Sequence, residues 1–429
     1  MTGVSGLDAN STAMSIASSN IANVNTVGYK ASSANFSTLL ASAMGNGSNA
    51  TVTASTAQNI TEQGTPTAAA SATDLAISGN GFFVVSQKPA AAGASQDQYY
   101  TRAGDFAPDA NGNLVNSSGY YLMGWPLDSS GALPTDRNDM TAVNTANLSG
   151  KAEATTTISL QANLQSSTTA DATYTAGDMT SGTTTPDFQR TINVYDSQGG
   201  SQPLQVSYKK TGANTWAYEV SYQGTASNIS GTNPIAEGTM SFNSDGTLAN
   251  ADTSSATPTG SVNITIPWSA SSGLSSQTVS LNMGTVGSSN GVTQFDSAST
   301  MTNSTVDGAL FGSLSGVTID QSGFVTANFS NGLSQKIYQL PLATFTNPNG
   351  LQAASGNAYQ ASAASGVATV SEASTGGAGS IDSNSLEAST VDLATEFTNL
   401  ITTQRAYEAS SKIITTAAQM LDQLMQMQS

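Results

Sequence analysis

Cysteine and histidine are both missing from this chain of 429 residues. Without cysteine there is no disulfide, no thiolate metal site and no sulfur nucleophile. Without histidine the usual general base at neutral pH and the commonest metal ligand are gone. Charge is sparse, at 9% of residues, and lopsided: 11 Lys and Arg against 28 Asp and Glu, for a net charge of −17. The basic residues stand almost singly, so no patch for nucleic acid or for a basic amphipathic membrane helix can be drawn. No apolar run approaches bilayer length, and no basic and apolar leader of a cleavable signal is visible. Aromatics make up only 7%. Catalysis and cofactor binding are therefore not expected, and neither is membrane insertion.

What is present is Ser, Thr, Ala, Asn and Gly, and their arrangement is regular. Asp or Asn, two small residues, Gly, any residue and then an apolar one recur at Asp109–Leu114, Asp128–Leu133, Asn243–Leu248 and Asp320–Val325, with a partial copy at Asp196–Gly199. Gly supplies the positive φ that such turns need, and the Asp or Asn side chain bonds back to the local backbone. Short apolar strands lie between these turns, so the middle of the chain reads as β-domains. Leu75–Ile77 and Phe82–Val85 flank Gly79-Asn80-Gly81, which predicts a hairpin. Asp109–Asn113 superficially resembles a calcium loop, but it lacks the spaced carboxylates and closing Glu of one. Paired carboxylates could in principle cleave a glycoside, yet Asp and Glu are dispersed and mostly in turns. Arg102 and Arg405 read as exposed donors to interface ion pairs.

The two ends differ from the middle. From Ser380 to Ser429 there is neither glycine nor proline, in a chain with 40 glycines. There, Leu386, Thr390, Leu393, Phe397, Leu400, Gln404, Tyr407, Ser411, Ile414, Ala418, Leu421 and Met425 follow one another at steps of four and three. That is one continuous stripe on a long helix, with Asn384 and Glu387 as its capping pair. At the other end, Leu7, Met14 and Ile21 repeat every seven residues, with Val4, Ala17 and Val24 alongside. A helix of roughly fifty residues would reach about 75 Å at 1.5 Å per residue, far beyond a partner of twenty-odd residues. The excess stripe predicts packing against other copies of the chain.

The expected fold is mainly β with terminal α: two β-domains, the inner discontinuous and the outer inserted into it, plus a coiled-coil-like domain formed by the N- and C-terminal helices. Boundaries follow from composition. An N-terminal helix lies within 1–27, and a polar connector spans 28–73, with Phe36, Leu39 and Leu40 as its only apolar cluster. The inner β-domain comprises 74–149 and 300–370, with the outer β-domain at 150–299. A glycine-rich connector covers 371–385 and the C-terminal helix 386–429.

The same residues carry a family resemblance. Ser19-Asn20-Ile21-Ala22-Asn23-Val24-Asn25-Thr26-Val27-Gly28-Tyr29-Lys30 resembles the N-terminal signature of the bacterial flagellar rod and hook axial proteins. Asp74–Val85, Tyr100–Phe106 and Gly119–Trp125 are similar to the core blocks of that family. Val391–Leu393, Gln404-Arg405-Ala406-Tyr407-Glu408-Ala409 and Leu421–Leu424 are similar to its C-terminal helix. The matching segments cover about half the chain. Together with Gly332–Leu351, the long insert points to the hook branch rather than to distal rod or other axial members. The resemblance implies a homopolymer that forms a curved tube, the universal joint between rod and filament. It further implies export through the flagellar type III apparatus without signal cleavage. Its partners would be the distal rod protein, the hook cap, and the hook-length control and hook-filament junction proteins. A secreted β-rich adhesin explains the Thr- and Ser-rich middle equally well, but not the stripes at both ends.

Overall fold

The computed structural model describes residues 2–40, 50–89, 97–128, 130–137, 139–146, 148 and 150–426. It is mainly β, with a helix at each end: α1 (Thr2–Ala22), a single turn α2 (Asp178–Ser181) and α3 (Leu393–Gln426). The chain forms two compact units, one of residues 1–148, 315–328 and 334–429, the other of 149–314 and 329–333. The insert thus runs beyond 299, where composition had drawn its end.

The five turn signatures all adopt one geometry. In each, the amide of the leading Asp or Asn donates to the carbonyl four residues on, as Asp109 does to Asn113 and Asp320 to Phe324, both within 2.8–3.1 Å. The glycines sit at φ +81°, +80°, +80°, +82° and +82° (Gly112, Gly131, Gly199, Gly246, Gly323). A side chain there would force the left-handed conformation that L-residues avoid. The Asp109 carboxylate is occupied by the amides of Asn111 and Asn113, each at 2.8 Å, as a turn residue requires.

The inserted unit packs two sheets. One is antiparallel, with strands 188–195, 201–212, 215–222, 236–242 and 248–250 in sequence order. The other orders strands 261–266, 277–282, 157–163 and 292–293, with 300–306 also on 157–163. Alternate residues of both fill a core of Tyr208, Trp216, Tyr218, Val206, Val220, Ile264 and Leu281, all at 1% exposure or less. Trp216 is tied down by its indole N–H, which donates to Gln294 Oε1 at 2.7 Å.

In the other unit, β1 (Ser32–Leu40) and β2 (Ala50–Gln58) form a nine-pair antiparallel hairpin against which α1 packs. Residues 28–73 read as a polar connector with few apolar anchors that orders against something else. The hairpin forms because α1 supplies the cover that its own side chains do not. The side chains of Leu39 and Leu40 lie outside the described residues, and Phe36 is exposed. β3 (Pro66–Ala68) pairs with Ser385–Glu387, and β4 (Leu75–Ser78) pairs with Ser380–Ser383. β5 (Phe82–Ser86) joins a different set: Gln98–Thr101, Tyr121–Pro126 and Pro341–Thr344.

Two expectations are corrected by these pairings. Gly79-Asn80-Gly81 does not close a hairpin. Gly79 at φ +99° and Gly81 at φ +127° carry the chain from one sheet to another. The glycine-rich 371–385 is not a loose lead: it holds the end of strand 369–372, which pairs with Pro341–Thr344, and the whole of Ser380–Ser383, which pairs with β4. Its glycine serves close approach: a Cβ on Gly379 would lie 2.2 Å from the Ser78 carbonyl oxygen.

Candidate functional site

α3 begins at Leu393, not at 386. The residues expected to open it are not helical: Asn384 lies at φ +54°, in the left-handed region, and Ser385–Glu387 is a strand. Leu386 and Thr390 therefore leave the stripe, and Thr390 instead accepts the Ala31 amide at 2.9 Å. Asp392 caps the helix, accepting the Thr395 amide at 2.7 Å. That backbone hydrogen bond holds the Asp392 carboxyl below the usual carboxylate range.

α1 and α3 run antiparallel. A Cβ on Gly3 would meet Ile414 at 3.0 Å, one on Gly6 would meet Ser410 at 3.3 Å, and Asn20 reaches Glu396. Small residues let the helices approach closely. The side chains that α1 buries are Ala9, Ala13, Ala17 and Asn20, spaced at four, four and three. Leu7, Met14, Ile21 and Val24, expected as the seam, are only half-buried. Large apolar residues dominate a reading of periodicity, whereas close packing selects alanine.

None of the 34 residues of α3 is buried. Leu400 and Ile414 are half-covered, while Leu393, Phe397, Tyr407, Leu421 and Met425 are exposed, Leu421 at 64% and Met425 at 70%. Gly3, near the start of α1, lies against Ile414. Residues 415–426 continue for about 18 Å at 1.5 Å per residue. The stripe is thus left open along most of its length. Gln404 and Arg405 are exposed as well.

The base of the helices is anchored by polar side chains. Asn20 is fully buried and uses its whole amide. Nδ2 donates to the Ser32 carbonyl (2.7 Å) and Glu396 Oε1 (3.0 Å), while Oδ1 accepts the Ser32 amide (3.0 Å) and the Tyr29 hydroxyl (3.1 Å). Burial, with the Glu396 charge adding to it, pushes the Tyr29 hydroxyl above its ordinary pKa, against a hydrogen bond with Ser32. Asn23 closes the end of α1 through the Ser19 carbonyl at 2.8 Å, and Asn25 is exposed. Gly28 is required: at φ +65°, an added Cβ would lie 2.6 Å from the Arg102 backbone. Its amide donates to the Glu387 carbonyl at 2.8 Å.

Beneath this lies a buried ion cluster. Glu387 Oε1 pairs with Lys30 and accepts the Gly64 amide at 2.8 Å, while Oε2 pairs with Arg102 at 3.1 Å. Lys30 also donates to the Glu62 carbonyl. Burial lowers the pKa of both cations, opposed in each case by the Glu387 charge. Arg102 is thus no exposed interface donor: it is 6% exposed and spent on its own chain. The cluster joins three distant segments, so sequence spacing cannot show it. The available signal was scarcity: Lys30 is the first basic residue, and Lys88 the next.

Four family models match the chain in order: Flagella basal body rod protein (1–30), Flagellar hook protein FlgE/F/G D1 domain (76–170), Flagellar basal body protein FlaE D2 domain (163–309) and Flagellar basal body rod FlgEFG protein C-terminal (382–427). Flagellar hook protein FlgE of Rhizobium meliloti is 35% identical over 99% of this chain and 97% of its own length. Those of Caulobacter vibrioides (32%, 99% and 98%) and Escherichia coli (34%, 98% and 98%) are alike in coverage. Among solved structures, the Helicobacter pylori flagellar hook protein FlgE2 matches with a TM-score of 0.50 at 16% identity, over 75% of this chain and 100% of that one, which bears on fold alone. Both ends, the inner domain and the insert are thus matched in one order and over nearly full length, and the chain belongs to the family of flagellar hook proteins.

Proposed function

We propose that this subunit polymerises through its terminal helices into the inner tube of the hook, a flexible curved joint that couples rod to filament. The observation that carries the reading is α3: 34 residues with none buried. Covering a large aliphatic side chain is worth about 1.5–3 kcal/mol. A row of them from Leu393 and Phe397 to Leu421 and Met425 therefore favours neighbouring copies strongly. Leu7, Met14, Ile21 and Val24 would complete the seam from the half-covered side of α1. The two β-domains would lie at larger radius. Their surfaces, rich in Ser, Thr and Asn, suit contacts that re-form at small energetic difference as the tube bends. The subunit would be exported unfolded by the type III apparatus. It would be capped during growth, and joined to the distal rod protein below and the junction proteins above. An adhesin leaves the open stripe on α3 without a purpose.

Deleting 415–429 tests the reading. The expected outcome is a subunit that keeps its β-rich circular dichroism and melting temperature but no longer sediments as polymer. Normal polymerisation of the truncated chain would overturn the reading.

A further inference from the structure

Helix α3 carries a groove of about 640 Å³, lined among others by Ala409, Lys412, Ile413, Thr416 and Met420. α1 of the same chain meets α3 at Ser410 and Ile414. Lys412 is two residues from each, hence about 200° around the helix and out of reach of that contact. Ile413 and Met420 are 64% and 57% exposed, while Ala409 and Thr416 are small. Such a surface accepts a ridge of small residues from another helix. Its charges are unbalanced. Arg405 and Lys412 are the only basic residues of α3, and both line the groove, with Glu408 as its one acid. Glu408 Oε1 accepts Gln404 Nε2 at 3.5 Å, one turn toward the start of the helix and away from Lys412. Lys412 forms no ion pair among the described residues.

The complementary charge stands on α1. Asp8 is the one charged side chain in its 21 residues, exposed and without an ion pair among the described residues. It belongs to a ridge: Val4, Asp8, Ser11, Ser15 and Ser18, spaced at four, three, four and three, are small and all exposed. We propose that α1 of a second copy lays this ridge in the α3 groove and sets its Asp8 on Lys412. An antiparallel approach, as the two helices adopt within the chain, then places Ser11 beside Ala409 and Val4 beside Thr416. The other acids of the helical ends fit less well. Glu396 is bonded to Asn20, and Asp422 has the long Met425 beside it on the helix surface. The inference rests on the assembly reading above and names the segment of the neighbour that enters it.

Asp8→Lys and Lys412→Asp, each in the full chain, test the contact. Both side chains are exposed in the subunit, so the monomer melting temperatures should match the wild type. Each variant alone should raise the critical concentration for polymerisation, measured by sedimentation, at least about tenfold, the value of one close interfacial charge pair. The two move the net charge in opposite directions, so a rise in both is not an effect of overall charge. Mixed in equal amounts they should polymerise near the wild-type concentration, because opposite charges then meet across alternating copies. If either variant polymerises alone as the wild type does, or if the mixture is no better than its parts, the Asp8 contact is overturned while the open stripe of α3 stands. A lowered monomer melting temperature in both would place the contact within one chain and overturn the second copy as occupant. A wild type that stays monomeric throughout would overturn the assembly reading itself.

Discussion

The inserted β-unit and helix α3 are built from the same sparse alphabet, yet they end in opposite states. The unit closes on itself around Tyr208, Trp216 and Tyr218, none more than 1% exposed, whereas α3 buries none of its residues. Two sheets can face each other within one chain and remove both apolar faces from water. A single long helix has no second face to fold onto, and its short partner covers one edge. The comparison separates surface buried within the subunit from surface that the subunit leaves exposed. Apolar residues alone do not distinguish the two; the supply of partners within the chain does.

The sharpest way to break this comparison is Leu421→Asp with Met425→Asp. If the stripe serves only other copies, the critical concentration should rise on the order of a hundredfold or more, with the monomer melting temperature unmoved. Monomer destabilisation would mean that the stripe belongs to the subunit's own core. Next is Glu387→Ala, which leaves Lys30 and Arg102 as buried cations without their carboxylate. Stranding a buried partner costs about 3–5 kcal/mol, so denaturant unfolding of the helix-bearing unit should shift to lower midpoint while the insert unfolds as before. Trp216→Ala tests the opposite half. It should cost the insert about 3–5 kcal/mol, and polymer yield at temperatures where the insert remains folded should be unchanged.

The smallest effect concerns the start of α3. Because the folded pKa of Asp392 is depressed, its contribution is present above the ordinary carboxylate value of 3.8 and is lost as pH falls through the folded value. Helical circular dichroism of the wild type should therefore fade slightly on acidification below that range. Asp392→Asn, which keeps a capping oxygen but does not titrate, should show a smaller change there. Identical acid profiles for the two would remove Asp392 as the cap.

Turn chemistry was legible because it is local: each of the five signatures, from Asp109 to Asp320, is decided by residues within five positions of one another. The open stripe from Leu393 to Met425 was legible for the same reason, since a helical period needs no knowledge of the partner. Legibility stopped where a residue's role depends on something far along the chain. Glu387 reads as a helix cap beside Asn384, but it is a buried anion because Lys30 and Arg102 arrive there from elsewhere. Gly379 reads as slack, but it is a close contact because Ser78 lies against it. Residues 32–40 and 50–58 fall in what reads as a polar connector, yet they pair as strands against which α1 packs.

The sequence by itself determined the absence of cysteine and histidine chemistry, the β-rich middle and the helical ends, including the apolar stripe along the last helix. These follow from composition and from periods of a few residues. Only the tertiary structure decided where α3 begins, that alanines rather than Leu7 and Met14 face inward on α1, and that Arg102 is a buried tie. Each of those depends on the distance between atoms hundreds of residues apart, and that distance is set by which surfaces bury each other.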